Sequence, residues 1–201
     1  KSIVPHHEKL FIDSVIHQVK AEILLHGSFA TTGIGHGTDK ALIAGLLGMR
    51  PDDIRIPDSF FLAKKDGMEF SFSTITLKDA HPNTAVLRLT GEHGRKIEVQ
   101  AASIGGGRIL IAKLDGIEVN FSAEKPTLIV HNVDQPGHVA QVTSMLAEKQ
   151  VNIATLQLYR DKRGGYAVMV IETDQEVPEE SVAWLEQLDG IIKVTYINVE
   201  E

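Results

Sequence analysis

The 201-residue sequence contains no cysteine. Disulfides therefore contribute nothing to its stability, which fits a reducing compartment. Thiolates are the usual ligands of iron–sulfur clusters, so the chain cannot hold one in that way. Aromatic residues make up only 5%, with a single tryptophan. No apolar run approaches the roughly 20 residues that a membrane-spanning helix needs. No signal-peptide pattern opens the chain either, so a cytoplasmic location is expected. Basic residues are in the minority, 20 Lys and Arg against 27 Asp and Glu, for a net charge of −7. That sign disfavours binding to nucleic acid or to an anionic membrane surface. His6 and His7 are adjacent and His17 lies further on, but no His-x-x-x-His or carboxylate partner has usable spacing. No metal site is expected from them.

What the chain does have is a glycine-dense stretch. Residues 26–39 read His-Gly-Ser-Phe-Ala-Thr-Thr-Gly-Ile-Gly-His-Gly-Thr-Asp. Gly33, Gly35 and Gly37 alternate with small or polar residues, and an apolar helix is expected from residue 39. Glycines let a backbone take positive φ and let a ligand approach closely. A helix N-terminus adds free N–H groups and positive potential, which suit a carboxylate or a phosphate. Thr38 and Asp39 are both candidate N-caps. A Walker loop is excluded because Asp39 precedes Lys40 and Ala41 follows it. A dinucleotide fingerprint is excluded because Gly37 comes two residues after Gly35 instead of three. The stretch reads as an anion-binding cradle beside a titratable imidazole, or else as a plain turn with a solvent-facing histidine.

Gly27–Asp39 resembles the signature of the β chain of bacterial iron–sulfur L-serine dehydratase. Three further segments resemble that family in the same order: Arg55-Ile56-Pro57-Asp58-Ser59, His81-Pro82-Asn83-Thr84 and Ser103-Ile104-Gly105-Gly106-Gly107. The resemblance covers roughly residues 22–201. One departure is that the family usually carries a Ser-rich segment ending in His-Thr near its N-terminus, and residues 1–25 hold nothing like it. Either that segment is missing or the chain is a divergent member. The resemblance implies a lyase that eliminates water from L-serine and hydrolyses the resulting enamine and imine to pyruvate and ammonia. It implies an open iron of a [4Fe–4S] cluster that activates the hydroxyl, held by the cysteines of a partner α chain, and an isolated β chain without activity. His36 and Asp39 would then be catalytic, with Asp39 orienting the imidazole or capping the helix. Ser28, Thr38, Gly35 and Gly37 would hold the substrate. His81–Thr84 reads first as a turn leading into a strand, and Ser103–Gly107 equally as a tight strand bend that serves packing.

The fold expected is α+β in two parts. Residues 1–121 would form the serine dehydratase β-type domain, 122–126 a linker and 127–201 a second domain. In the first part a strand at Ile23–Leu25 precedes the glycine stretch and helices follow over 39–48 and 58–66. Strands follow over 69–77, 84–90, 96–103, 108–114 and 118–121, with turns at 91–95 and 115–116. The second part reads βαββαβ, a ferredoxin-like split unit. Its strands cover 127–133, 151–159, 166–172 and 191–199. Its helices cover 137–149, with Val139, Val142, Met145 and Leu146 as the apolar face, and 181–188, with Trp184 in the core. This part resembles an ACT domain, a small module that commonly binds amino acids. Comparison with the serine-binding ACT domain of 3-phosphoglycerate dehydrogenase implies ligand contacts at Asn132, Asp134 and Asn152, generally between two copies. Asn132 and Asp134 as helix caps and Asn152 as a turn residue is the plainer reading. A homodimer through either domain is expected. The alternative function is a non-catalytic amino-acid sensor, because the first part also resembles the allosteric domain of some 3-phosphoglycerate dehydrogenases.

Overall fold

A computed structural model describes residues 18–33, 35–91, 94, 96–122 and 124–197. His6, His7 and His17 lie outside these, as do parts of the 91–95 turn. Contacts divide the chain into two compact units, with the break between Ser122 and Ala123. No helix among the described residues is long and apolar enough to cross a membrane.

The first unit is built on β1 (Gln18–Leu25), where buried Ala21, Ile23 and Leu25 alternate with half-buried neighbours. This two-residue period marks a strand with one face in a core. After it come α1 (Ser28–Thr32), α2 (Thr38–Leu46), a 3-10 turn (Ile56–Asp58) and α3 (Ser59–Lys65). Then follow β2 (Glu69–Thr74), β3 (Thr84–Gly91), β4 (Lys96–Gly105), β5 (Arg108–Leu114) and β6 (Ile117–Phe121). The six strands form one sheet in the order β2-β1-β3-β4-β5-β6. β1 and β2 run parallel and every other neighbouring pair antiparallel. A parallel pair cannot be joined by a hairpin, so the chain crosses over through α1, α2 and α3. Leu42, Ile43 and Ala44 of α2 and Ala63 of α3 are buried in this crossover.

Several boundaries differ from expectation for physical reasons. α1 is a helix of five residues within the glycine stretch, where only a loop was expected. α2 stops at Leu46, short of residue 48, because its last turn closes in a Schellman pattern. There Met49 N–H donates to Ala44 O and Gly48 N–H to Gly45 O, at 2.9 and 3.0 Å. β2 ends at Thr74 instead of Leu77 because β1, its partner, ends at Leu25. Ile75 N–H still reaches Leu25 O at 3.0 Å, but the Leu77 amide is taken by the His26 ring.

The second unit contains β7 (Thr127–Val133), α4 (His138–Glu148), β8 (Ile153–Arg160), β9 (Tyr166–Thr173), α5 (Glu179–Leu185) and β10 (Ile191–Ile197). Its four strands are antiparallel in the order β10-β7-β9-β8. Leu128, Val130, Val142, Leu146, Met169, Ile171, Leu185 and Val194 form its core. Two residues expected in that core lie outside it. Val139 is 37% exposed and Trp184 is 43% exposed. On α5 the buried face is set by Ser181 and Leu185, one turn apart, and Trp184 is rotated away from it. Its indole instead lines an open hollow of about 620 Å³ together with Ala140, Ser144 and Met145.

Candidate functional site

The glycine stretch begins where β1 ends, at the carboxyl end of a strand. That is the position where open α/β sheets place their ligands. The turn out of β1 is tight. Gly27 has φ +56°, and a Cβ there would sit 2.5 Å from Pro82 O, so no side chain fits. This close approach lets Ser28 N–H donate to Pro82 O at 2.8 Å and His26 N–H to Thr84 O at 2.9 Å. In α1, Thr31 and Thr32 turn their hydroxyls back to Ser28 O at 3.2 and 2.8 Å.

His36 follows α1 on an exposed turn. Its Nδ1 lies 2.9 Å from Thr32 O. A carbonyl can only accept, so Nδ1 carries the proton and the neutral ring keeps its lone pair on Nε2. Gly35 beside it is exposed too, and so is Ser28 at the start of α1. Asp39 does not orient the imidazole. Its Oδ1 accepts from the Lys40 amide at 2.9 Å, and Nδ1 of His36 is already engaged by Thr32. Neither Asp39 nor Thr38 is the N-cap of α2, because that position is Gly37, which offers no side chain to the first turn. Asp39 contributes there as a negative charge in the first turn of the helix. Thr38 is buried and its amide donates to Gly33 O at 2.8 Å. It braces the loop from inside while Ser28, Gly35 and His36 face outwards.

The other three sequence segments converge on this loop. Ser59, fully buried at the start of α3, donates from Oγ to Lys40 O at 2.9 Å, which ties Arg55–Ser59 to the first turn of α2. Arg55 itself is occupied by Asp53 through a bidentate pair, with Nη2 at 2.6 Å from Oδ2 and Nε at 3.0 Å from Oδ1. The Arg55 side chain and backbone amide push the Asp53 carboxyl down to about 2. His81–Thr84 is indeed a turn leading into β3, and it is also the wall against which Gly27 and Ser28 are packed. Its His81 Nδ1 accepts from Asn83 N–H at 3.1 Å, which leaves the ring proton on Nε2. Ser103 N–H donates to Asn83 O at 3.0 Å, bringing the Ser103–Gly107 bend to the same end of the sheet. His26 went unnoticed in the sequence. Its Nδ1 accepts from Leu77 N–H at 3.2 Å and fastens the chain after β2 to the loop. Its place at the head of the glycine stretch was the available signal. Among the described residues no three His, Asp or Glu side chains come together to hold a metal.

In the second unit Asn132, Asp134 and Asn152 are not brought together. Asn132 lies at the end of β7 opposite Ala167, at the start of β9. Asn152 precedes β8 and pairs with Asp174, just past the other end of β9, its Nδ2 lying 2.6 Å from Asp174 Oδ2. The length of β9 separates them. Asp134 does not cap α4. It accepts from Gly164 N–H at 2.9 Å and from Arg160 Nη1 at 3.1 Å, and these hold its carboxyl below the usual carboxylate range. Asn132 donates from Nδ2 to Val133 O at 2.7 Å, while its buried Oδ1 has no hydrogen-bond partner among the described residues.

These two units match known proteins closely. A family model described as serine dehydratase beta chain matches residues 6–66, which include β1, the glycine stretch and α1 to α3. The L-serine dehydratase, beta chain, of Peptoniphilus asaccharolyticus is 35% identical over 181 residues, covering 90% of this chain and 82% of that protein. The chain belongs to the L-serine dehydratase β-chain family. A probable L-serine dehydratase, beta chain, of Bacillus subtilis is 37% identical over 87% of this chain and 79% of its own length. A model of the ACT domain matches residues 126–190 of this family member, and its first element there is β7. D-3-phosphoglycerate dehydrogenase of Methanocaldococcus jannaschii is 31% identical over 56% of the chain, but only 22% of that protein is covered.

Proposed function

We propose that this chain is the β subunit of an iron–sulfur L-serine dehydratase, acting with a cluster-bearing α chain in the cytoplasm. The observation that carries the reading is the identity of 35% over 90% of the chain to a β chain of that enzyme. The reaction is a carbon–oxygen elimination followed by deamination. The α-proton and the β-hydroxyl leave L-serine as water, and the 2-aminoacrylate left behind tautomerises to the imine. Water then adds to the imine, and pyruvate and ammonia are released. The chain lacks cysteine, the usual donor to such a cluster. On this reading the cluster and its chemistry belong to the partner.

The share of the β chain is positioning and proton transfer. Nε2 of His36 is an exposed base whose tautomer is fixed by Thr32, suited to take the α-proton. Ser28 offers a hydroxyl to the substrate carboxylate, and the backbone at Gly35 and Gly37 lets the carboxylate approach the first turn of α2. Thr38 and Asp39 act by holding that turn. The test is anaerobic assay of pyruvate from L-serine with the β chain alone, the α chain alone and the two mixed. Turnover that needs both supports the reading. Turnover by the β chain alone contradicts it.

The ACT unit fits an amino-acid effector bound between two copies in a homodimer. A ligand that touches Asn132 and Asn152 must bridge two chains, because one chain separates them by the length of β9. Asp134 is already engaged by Arg160 and Gly164, whereas the buried Asn132 Oδ1 has no hydrogen-bond partner among the described residues. Sedimentation of the chain with and without L-serine tests this. Dimerisation promoted by the amino acid and lost in Asn152→Ala is the expected result.

A further inference from the structure

α4 and α5 both cover the face of the second sheet that carries Leu128, Val130, Met169 and Ile171, yet they do not close on each other. Between them lies the hollow of about 620 Å³, a size usual for a small-molecule site. Ala140 and Ser144, one turn apart on α4, are short and leave the hollow open where larger side chains would fill it. The α5 wall offers the indole of Trp184, which leaves a large apolar area in water. Ser181 lines the same wall and is only 2% exposed, and its Oγ has no hydrogen-bond partner among the described residues. A buried hydroxyl in this state is costly until a bound molecule supplies the partner. The charged residues of the lining are Glu148, Lys149 and Glu180. Lys149 Nζ lies 3.2 Å from Glu180 Oε1, so those two charges offset each other and the Glu148 carboxylate sets the sign of the rim.

We propose that this hollow binds a small aromatic amine that carries a hydrogen-bonding group on its ring. The ring lies against Trp184 and Met145, which supply an aromatic and an aliphatic surface. The ring substituent reaches the Ser181 hydroxyl, which can both donate and accept. The ammonium sits beside Glu148, where an anion of the same shape is repelled. The site is built from residues of α4, α5 and the turn after α4, so it uses none of Asn132, Asp134 and Asn152. It stands whether or not the enzymatic reading does. L-Serine has no ring to place against Trp184. A second copy of the chain laid across the two helices is the competing occupant, but it would have to reach below the surface to partner Ser181.

Trp184 is the single tryptophan, so its indole N–H gives one cross-peak in a proton–nitrogen NMR spectrum of the full chain. The probes are tyramine, 4-hydroxyphenylacetate, whose side chain ends in a carboxylate instead, and phenethylamine, which lacks the ring hydroxyl. Tyramine is expected to shift the peak saturably. 4-Hydroxyphenylacetate is expected to bind at least about five-fold more weakly, and phenethylamine about two- to ten-fold more weakly. Ser144→Leu fills the hollow and is expected to abolish the saturable shift with the melting temperature retained. If that variant does not fold, Ala140→Leu carries the same expectation. No saturable shift with tyramine, a shift that survives filling of the hollow, or equal binding of the amine and the carboxylate would overturn the proposal. So would a Trp184 peak that moves with protein concentration in the absence of any probe, which marks a second copy as the occupant.

Discussion

Residue 36 makes two contacts with the same carbonyl. Its backbone N–H donates to Thr32 O at 3.2 Å, and its ring Nδ1 lies 2.9 Å from that oxygen. The ring is held by the main chain of α1, so its tautomer does not depend on any neighbouring carboxylate. Replacing His36 by Ala is expected to lower kcat by about 10² to 10⁴ with KM little changed, the size of a lost general base. Asp39→Asn is expected to cost far less, because Asp39 bonds the Lys40 amide. Steady-state kinetics of the reconstituted pair separate the two. Gly27→Ala puts a Cβ 2.5 Å from Pro82 O at a positive φ. A loss of about 1 to 3 kcal/mol is expected from that strain, read as a lower melting temperature together with lost turnover. Asp53 supplies a check by titration. Its folded pKa, about 2, lies below the ordinary carboxylate value because of Arg55. The pair is therefore complete above about pH 4 and lost as pH falls through about 2. A carboxyl-carbon NMR titration of Asp53 with a midpoint near 4 would contradict the pairing.

At the scale of elements, the strands were legible where one face is buried. In β6, Ile117, Val119 and Phe121 alternate with exposed residues, the period that a sequence reveals directly. α1 was not legible. It is five residues long, is rich in threonine and lies between glycines, so its formation depends on the bond from Ser28 N–H to Pro82 O, over fifty residues away in the chain. The phase of α5 was missed by one residue, which is enough in a helix of seven to exchange Trp184 for Leu185 as the buried side chain. Leu185→Ala is accordingly expected to cost about 2 to 5 kcal/mol and Trp184→Ala well under half of that, measured by urea unfolding. The separation of Asn132 from Asn152 follows from strand order, which places β9 between β7 and β8. Local sequence carries no trace of that order. The meeting of the four site segments is non-local in the same sense. Their order along the chain identified them, and only the pairing of β1, β3 and β4 shows that they share one end of a sheet.

At the scale of the whole molecule the chain is acidic, free of cysteine and divided into two units. We take residues 1–121 as the serine dehydratase β-type domain and 127–201 as the ACT domain, so proteolysis is expected to cut first within 122–126. The first unit presents an exposed imidazole with a fixed tautomer and the second a set of polar groups that one copy leaves apart. On the proposed reading such a chain positions and regulates, and a partner supplies the centre that activates the hydroxyl. The most direct measurement is pyruvate formation from L-serine by the wild-type and His36→Ala chains, each paired without oxygen with the same α chain. Turnover by the wild-type pair that falls at least about 10²-fold in the variant, with α-chain binding retained, is the predicted result. Equal turnover by the two pairs would contradict the assignment of His36 as the base that this chain contributes.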